Sequence, residues 1–593
     1  MAIFLCGMQS AQSVMATMHY DRRQTVASEQ FESSVETFSA ASVARATVNK
    51  NAWKKINGVC YNGSGKPIPG AITRGIDVSE WQGTINWEKV KSSDVDYAFV
   101  RISYGLNYMD KKYDVLIIGC GVAGLYTSLS LPENLSVLVL SKQDETVSNS
   151  SLAQGGVAAV LSLENDSYEL HYNDTMIAGG QANTPDAVNT LVHEGPDQVR
   201  QLIKYGVNFD RNSDGTLQKT LEGGHSRRRI VHYKDTTGAE IVRALLVEAK
   251  KRSNITLVEN ADVFKLTKVK NGFCADMLLN GKTAATVFSD FCVIATGGIG
   301  RVYKYTTNPA VATGDGVRLA YDMGATIKEL SYVQFHPTAF NGNDREQFLI
   351  SESVRGEGAY LLNCNKERFM DRYDKRLELA PRDVVSRSII LESRRTGSDN
   401  FYLDIRYKGH DYLVNRFPGI YEGCLKHGVD MTKDLIPVFP CQHYLMGGID
   451  VDLDARTSIS RMYAVGECSH TGVHGKNRLA SNSLLEALVF GKRAADDIAS
   501  LSKKDPDHVT VTEHKTDISG APLPKGMRTE IRSIMQRSYF VIPDMDAVRV
   551  GLKRVDAILM RLKNGKFAIT PDYCEALSLA TVAHIILKEV DEG

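Results

Sequence analysis

Neither charge, nor cysteine, nor hydrophobicity is concentrated anywhere in this sequence, and each absence excludes something. Over 593 residues, 70 Lys and Arg balance 70 Asp and Glu, so nothing electrostatic draws the chain to nucleic acid or to an anionic membrane. The ten cysteines form no C-x-x-C pair and no Cys/His cluster at ligand spacing, so no metal site is expected. They read as reduced thiols of a cytoplasmic protein, mostly core filler. No apolar run reaches the roughly 18 residues a membrane helix needs. The apolar start Met1 to Met8 has no basic region before it, so no signal peptide is expected. What remains is ordinary: 43% apolar and 24% charged, with length for several domains.

The most informative stretch is Tyr113 to Gly124, YDVLIIGCGVAG. The aliphatic run Val115 to Ile118 reads as a strand, Gly119 to Gly121 as a tight turn, and Leu125 to Leu131 as a helix. Gly119 makes the turn, Gly121 lets a pyrophosphate approach the backbone, and Gly124 lets helix and strand pack closely. An anion is favoured at such a helix N-terminus by free N–H groups and the helix dipole. A dinucleotide site is therefore expected over Gly119, Cys120, Gly121, Val122, Ala123 and Gly124. A second buried strand, Val137 to Leu140, ends in Ser141 and Lys142, where a nicotinamide-binding unit would usually place an acid. That argues against a simple NAD dehydrogenase.

Residues 1–110 differ from the rest. All three tryptophans lie there, the first fifty residues are rich in Ser, Ala, Thr and Gln, and residues 1–73 read as a poorly structured extension. From Arg74 the text RGIDVSEWQGTINWEKVKSSDVDYAFVRISYG resembles the opening of lysozyme-like glycoside hydrolases of family 25, in which Asp77 would match a catalytic aspartate. Sugar hydrolysis needs two carboxylates on a rigid frame. Residues 74–110 carry no more than a fragment of the eight-stranded barrel that would provide one.

Further along, IIGCGVAG, then Ser141-Lys142, then SSLAQGG resemble the flavoprotein family of fumarate reductases, succinate dehydrogenases and L-aspartate oxidases. Paired glycines in Asn149 to Val160, NSSLAQGGVAAV, suit backbone lying against a flat ligand. The resemblance implies FAD contacts at Asn149, Ser150, Ser151, Leu152, Ala153, Gln154, Gly155 and Gly156. Members with covalent flavin carry a His where Asn149 stands, so non-covalent FAD is implied. Leu221 to Ile230, LEGGHSRRRI, is similar to the segment that marks the aspartate oxidases. There Glu222 would meet the substrate's ammonium, a cation that needs a negative partner once out of water.

The same resemblance implies further roles. Asp315 in TGDG and Glu467 in RMYAVGE are placed on the cofactor, with Ser483 and Leu484 at a helix start facing the flavin. His336 and Thr338 in VQFHPT, His443 in PCQHYLMGG and Arg478 in NRLASNSLLE are implied carboxylate binders. Arg355 in SESVRGEGAY is implied to bind substrate and to handle protons. Thr237 to Glu240, TGAE, reads as a capping box before an apolar-periodic helix.

The expected fold class is α/β: a Rossmann-like FAD-binding domain with an inserted α+β capping domain and a C-terminal three-helix bundle. The expected boundaries are 111–326 and 436–504 for the cofactor domain, 327–435 for the capping domain, and 505–593 for the bundle, with helices near 525–540, 545–563 and 572–590. The implied activity is oxidation of L-aspartate to iminoaspartate with oxygen or fumarate as acceptor, feeding a quinolinate synthase in NAD biosynthesis. A soluble fumarate reductase and, from another class, a cell-wall hydrolase or wall-binding protein are the alternatives. Oligomeric state is not legible.

Overall fold

The computed structural model describes residues 112–342, 347–504, 508–511 and 516–593, together with four short strands before them. The chain forms two units, Met1–Met109 and Asp110–Gly593. In the first, Lys54–Ile56 pairs antiparallel with Val59–Tyr61, and Gly75–Ser79 pairs parallel with Tyr97–Arg101. Asp77 lies on one of these strands opposite Phe99. Its side chain, and the expectation of disorder over most of 1–73, lie outside the described residues.

The second unit is built on a seven-stranded sheet. Its order is Ile255–Val258, Val137–Leu140, Lys112–Ile118, Thr283–Ile294, Gly272–Leu279, Ala261–Val269. Thr283–Ile294 serves two neighbours on one edge. Its first half pairs antiparallel with Gly272–Leu279, and its end pairs parallel with Met462–Ala464. On the other edge it runs parallel to Lys112–Ile118. The parallel strands are continuously apolar because both faces are covered, as Val115, Ile117, Val137, Val139 and Val293 show. Helix Val122–Ser130 follows the glycine turn, and Asn482–Lys504 packs across it. A Cβ at Gly491 would stand 2.8 Å from Thr127 Oγ1, so this crossing requires a glycine.

A second core lies under the four-stranded antiparallel sheet Val333–Phe340, Ile436–Leu445, Phe401–Asp404, Tyr360–Leu362. Ile436–Leu445 pairs with Val333–Phe340 from Val438 to Leu445. The inserted segment therefore shares its sheet with residues beyond the expected boundary at 435, and the chain leaves that sheet after Leu445. The C-terminal helices are Met527–Ser538, Met545–Asn564 and Pro571–Glu592, packed on one another. The last also holds the cofactor unit: Arg318 Nε donates to Ser578 Oγ at 3.0 Å.

The expected capping box at Thr237 does not form. The helix does run Thr237–Lys251, but Glu240 turns to Asn208 and Arg243 rather than back to the helix start. No helix among the described residues is long and apolar enough to cross a membrane.

Candidate active site

One cavity of ≈ 470 Å³ joins the glycine motif to a cluster of charged side chains, Glu352 and Arg382 of the inserted segment with Glu222 and Arg478 from outside it. The cofactor half is built from backbone. Gly119 has φ +119°, and a Cβ there would lie 2.1 Å from Ala295 O, where two parallel strand ends meet. Gly124 contributes packing: its Cβ would lie 2.0 Å from Gly119 O. At Gly121 a Cβ would meet no backbone within 4 Å, and the residue puts no side-chain cap on the helix start. Ser150 Oγ accepts from Val122 N–H at 3.3 Å. Val122, Gly124 and Ser151 shape the cradle without lining it; Ser151 binds back to Ser148 and Thr146.

Cys120, Ala123, Leu152, Ala153, Ser483 and Leu484 line the wall. Gln154 donates to Leu349 O at 3.0 Å and leaves its buried Oε1 without a protein partner. Asn149 spans Glu467 Oε2 (2.9 Å) and Asn308 (3.3 Å), and offers no nucleophilic nitrogen. Glu467 accepts from Leu445 N–H at 3.1 Å, and burial lifts its carboxyl to about 7. At the far end Lys142 reaches Asp315 (2.9 Å) and Glu575 (3.2 Å). Burial pulls its ammonium down, but these carboxylates more than offset that and leave it raised. Glycine-edged backbone at a helix N-terminus and an unpartnered amide oxygen fit a dinucleotide.

The substrate half is built from side chains on four separate elements. Glu222 sits just after the strand Lys219–Thr220, His336 on Val333–Phe340, His443 on Ile436–Leu445, and Arg478 just before the helix Asn482–Lys504. His336 Nδ1 accepts the Thr338 N–H at 3.2 Å, so its proton sits on Nε2, which is buried and unpartnered. Burial, with Arg382 and His443 nearby, holds that imidazole well below its usual range and neutral. His443 is held down likewise by burial and by Arg382 and Arg478, and its Nδ1 lies 2.7 Å from Thr307 Oγ1.

Arg478 stacks 4.0 Å over the Tyr444 ring and donates to Ser483 (2.5 Å) and Gln334 (3.2 Å). Its Nε is unpartnered, and it makes no salt bridge among the described residues. Burial and then the Arg382 charge bring it down to about 10. Glu222 receives a hydrogen bond from Ser481 Oγ at 2.7 Å and also lacks a salt bridge. Burial raises its carboxyl, against that hydrogen bond.

Two expectations are corrected. Thr338 does not line the cavity; its Oγ1 donates to Ile350 O at 3.1 Å, and its N–H orients His336. Arg355 lies behind the wall, donating to Glu378 O (2.6 Å) and Glu352 (3.1 Å). The short helix Glu352–Gly356 puts Glu352 and Arg355 three residues apart on one face, and that geometry turns the guanidinium away from the chamber.

A second guanidinium beside Arg478 on the wall is that of Arg382, which sequence reading missed along with Glu352, also on the wall, and Gln334 behind it. It donates to Glu352 (2.6 Å) and Gln334 (2.9 Å). A signal existed: Arg382 opens the helix Arg382–Thr396, where a cation opposes the helix dipole and needs another reason to be present.

Cradle and chamber together define an FAD-dependent flavoprotein, and the FAD binding domain family matches residues 114–484. The chain is 46% identical over 394 residues to the L-aspartate oxidase of Clostridium perfringens, covering 66% of this chain and 88% of that protein. It is 38% identical to that of Acinetobacter baylyi, covering 80% and 90%. The chain belongs to the L-aspartate oxidase family. Among solved structures, E. coli quinol fumarate reductase superposes with a TM-score of 0.74 at 28% identity, covering 81% of this chain and 89% of the other. The glycosyl hydrolases family 25 matches residues 76–128, overlapping the glycine-motif strand.

Proposed function

We propose that this protein oxidises L-aspartate to iminoaspartate with non-covalent FAD. The observation that carries the reading is a pair of buried charges in one cavity that make no salt bridge among the described residues. Arg478 is a buried cation with no carboxylate at ion-pair distance, and Glu222 is a buried carboxyl group with no cation at that distance. Each is costly alone, and an amino acid supplies both complements, a carboxylate and an ammonium. A second substrate carboxylate has the His336 Nε2–H and His443 as neutral donors. Bound FAD would supply the two-electron acceptor for the hydride from Cα, and the proton that the ammonium gives up as the C=N bond forms would pass to the Glu222 carboxylate facing it.

The chain's own work is binding, orientation and exclusion of water. Arg478 grips one carboxylate, its plane fixed on Tyr444. Glu222 holds the nitrogen. Arg382 is the N–H group on the wall suited to deliver a proton when fumarate is the acceptor, with Glu352 joining it to Arg355 behind. Oxygen is the other acceptor. The product would pass to a quinolinate synthase in the cytoplasm, as the first step of NAD biosynthesis.

Anaerobic titration of the yellow protein tests this. L-Aspartate should bleach the flavin and fumarate should restore it. Bleaching by succinate with none by L-aspartate would sink the reading in favour of a soluble fumarate reductase.

A further inference from the structure

We propose that Ser481 is a positioning residue that sets the preference for an amino-bearing dicarboxylate over a bare one, by holding Glu222 in its aim; this rests on the function proposed above. Ser481 sits immediately before the helix Asn482–Lys504 with φ +60°, in the left-handed region that side chains rarely adopt. Strain of that kind persists where the surroundings over-determine a conformation, and here they do. Its carbonyl accepts from Ala158 N–H at 3.0 Å, and its Oγ accepts from Gly156 N–H at 3.2 Å. With that lone pair taken by a backbone donor, the hydroxyl proton is directed to Glu222 Oε2 at 2.7 Å.

The other carboxylate oxygen lies against Gly155, where a Cβ would stand 2.8 Å from Oε1. Glu222 is thus caught between a glycine whose Cβ would crowd its Oε1 and a hydroxyl with one proton to give. The charged groups facing it are Glu352 from the short helix, Arg382 from the start of its helix, and Arg478. Glu352 repels a second negative charge while the two guanidinium groups favour it. The Ser481 hydrogen bond favours the ionised form as well, which is the form an ammonium requires. A bare dicarboxylate has no use for any of this.

The test uses FAD-loaded protein carrying Ser481→Ala or Ser481→Gly. Both remove the hydroxyl, but glycine accepts φ +60° without strain, so a backbone effect separates from a hydroxyl effect. Anaerobic stopped-flow bleaching against L-aspartate concentration gives its Kd and the limiting rate, and flavin difference spectra give the Kd of succinate. Both variants should weaken L-aspartate about ten-fold, the scale of one hydrogen bond to a charged group, with succinate unchanged within about two-fold.

The acid limb of L-aspartate binding should also move to higher pH, because loss of the hydrogen bond leaves the burial-raised Glu222 carboxyl higher still. Equal weakening of both ligands, an acid limb that stays put, an effect confined to the alanine variant, or variants that lose their flavin would each overturn the inference. A wild-type protein that L-aspartate fails to bleach would instead remove the function on which it rests.

Discussion

The two halves of the cavity are made of different material. The cofactor cradle is backbone with the side chains pared away: Gly119, Gly121, Gly155 and Gly156 leave room, and few atoms there can move. The substrate chamber is the reverse, a set of long charged side chains brought by four elements and held in place by one another. A site made of backbone tolerates no added atom, whereas a site made of side chains tolerates atoms and fails when a charge loses its counterpart. Substitutions should therefore act on cofactor content in the first half and on turnover in the second.

The strongest way to break that division is Gly119→Ala. Its Cβ meets Ala295 O at 2.1 Å and its φ is +119°, so overpacking and backbone strain together should cost about 3 kcal/mol or more. The purified protein should be colourless, read from its visible spectrum. A yellow, stable Gly119→Ala protein would mean that the cradle yields more than its geometry allows.

Next in size is a pair within the chamber. Arg382→Lys should keep the flavin yet lower kcat/KM for L-aspartate about 100-fold, within the cost of truncating one member of a buried charge pair. Arg355→Lys, one layer further out, should lower it about ten-fold. Reversal of that order would return Arg355 to the role its sequence context suggested.

The smallest effect concerns the seam between the halves. Burial lifts the Glu467 carboxyl from an ordinary value of 4.5 to about 7, so the folded apoprotein prefers it protonated. The resulting stability is complete below pH 4.5 and is lost as pH rises through about 7, by about 3 kcal/mol at most. Thermal midpoints of the apoprotein between pH 5 and 8 should fall with pH by a few degrees more than those of Glu467→Gln. Parallel curves would show that the carboxyl is already ionised.

The same division explains what could be read from the sequence. The cradle was legible because backbone sites are contiguous: Gly119 to Gly124 and Asn149 to Gly156 each state their geometry within a dozen residues. The C-terminal helices were legible for a similar reason, since apolar periodicity is local, and Met545–Asn564 falls within a residue of expectation. The chamber was legible only where a residue travels with a short motif, as Glu222, His336, His443 and Arg478 do. Arg382 has no motif around it, and its meaning depends on Gln334 and Glu352, far away in sequence. Arg355 had a motif and still misled, because the string R-G-E-G does not reveal that Glu352, one helical turn earlier, captures the guanidinium. What lies across position 435 was hidden for the opposite reason: strand pairing, invisible in the sequence, ties Ile436–Leu445 to Val333–Phe340.

The start of the helix Asn482–Lys504 belongs to both halves at once. Ser481 touches Glu222, Ser483 receives Arg478, and Leu484 lies on the cofactor wall. Two ligands that share one short piece of main chain cannot have independent affinities, and thermodynamic reciprocity fixes how they depend on each other. Whatever factor FAD contributes to the grip on the amino acid, the amino acid returns to FAD. A protein losing its flavin by dilution should keep it longest when the chamber is full.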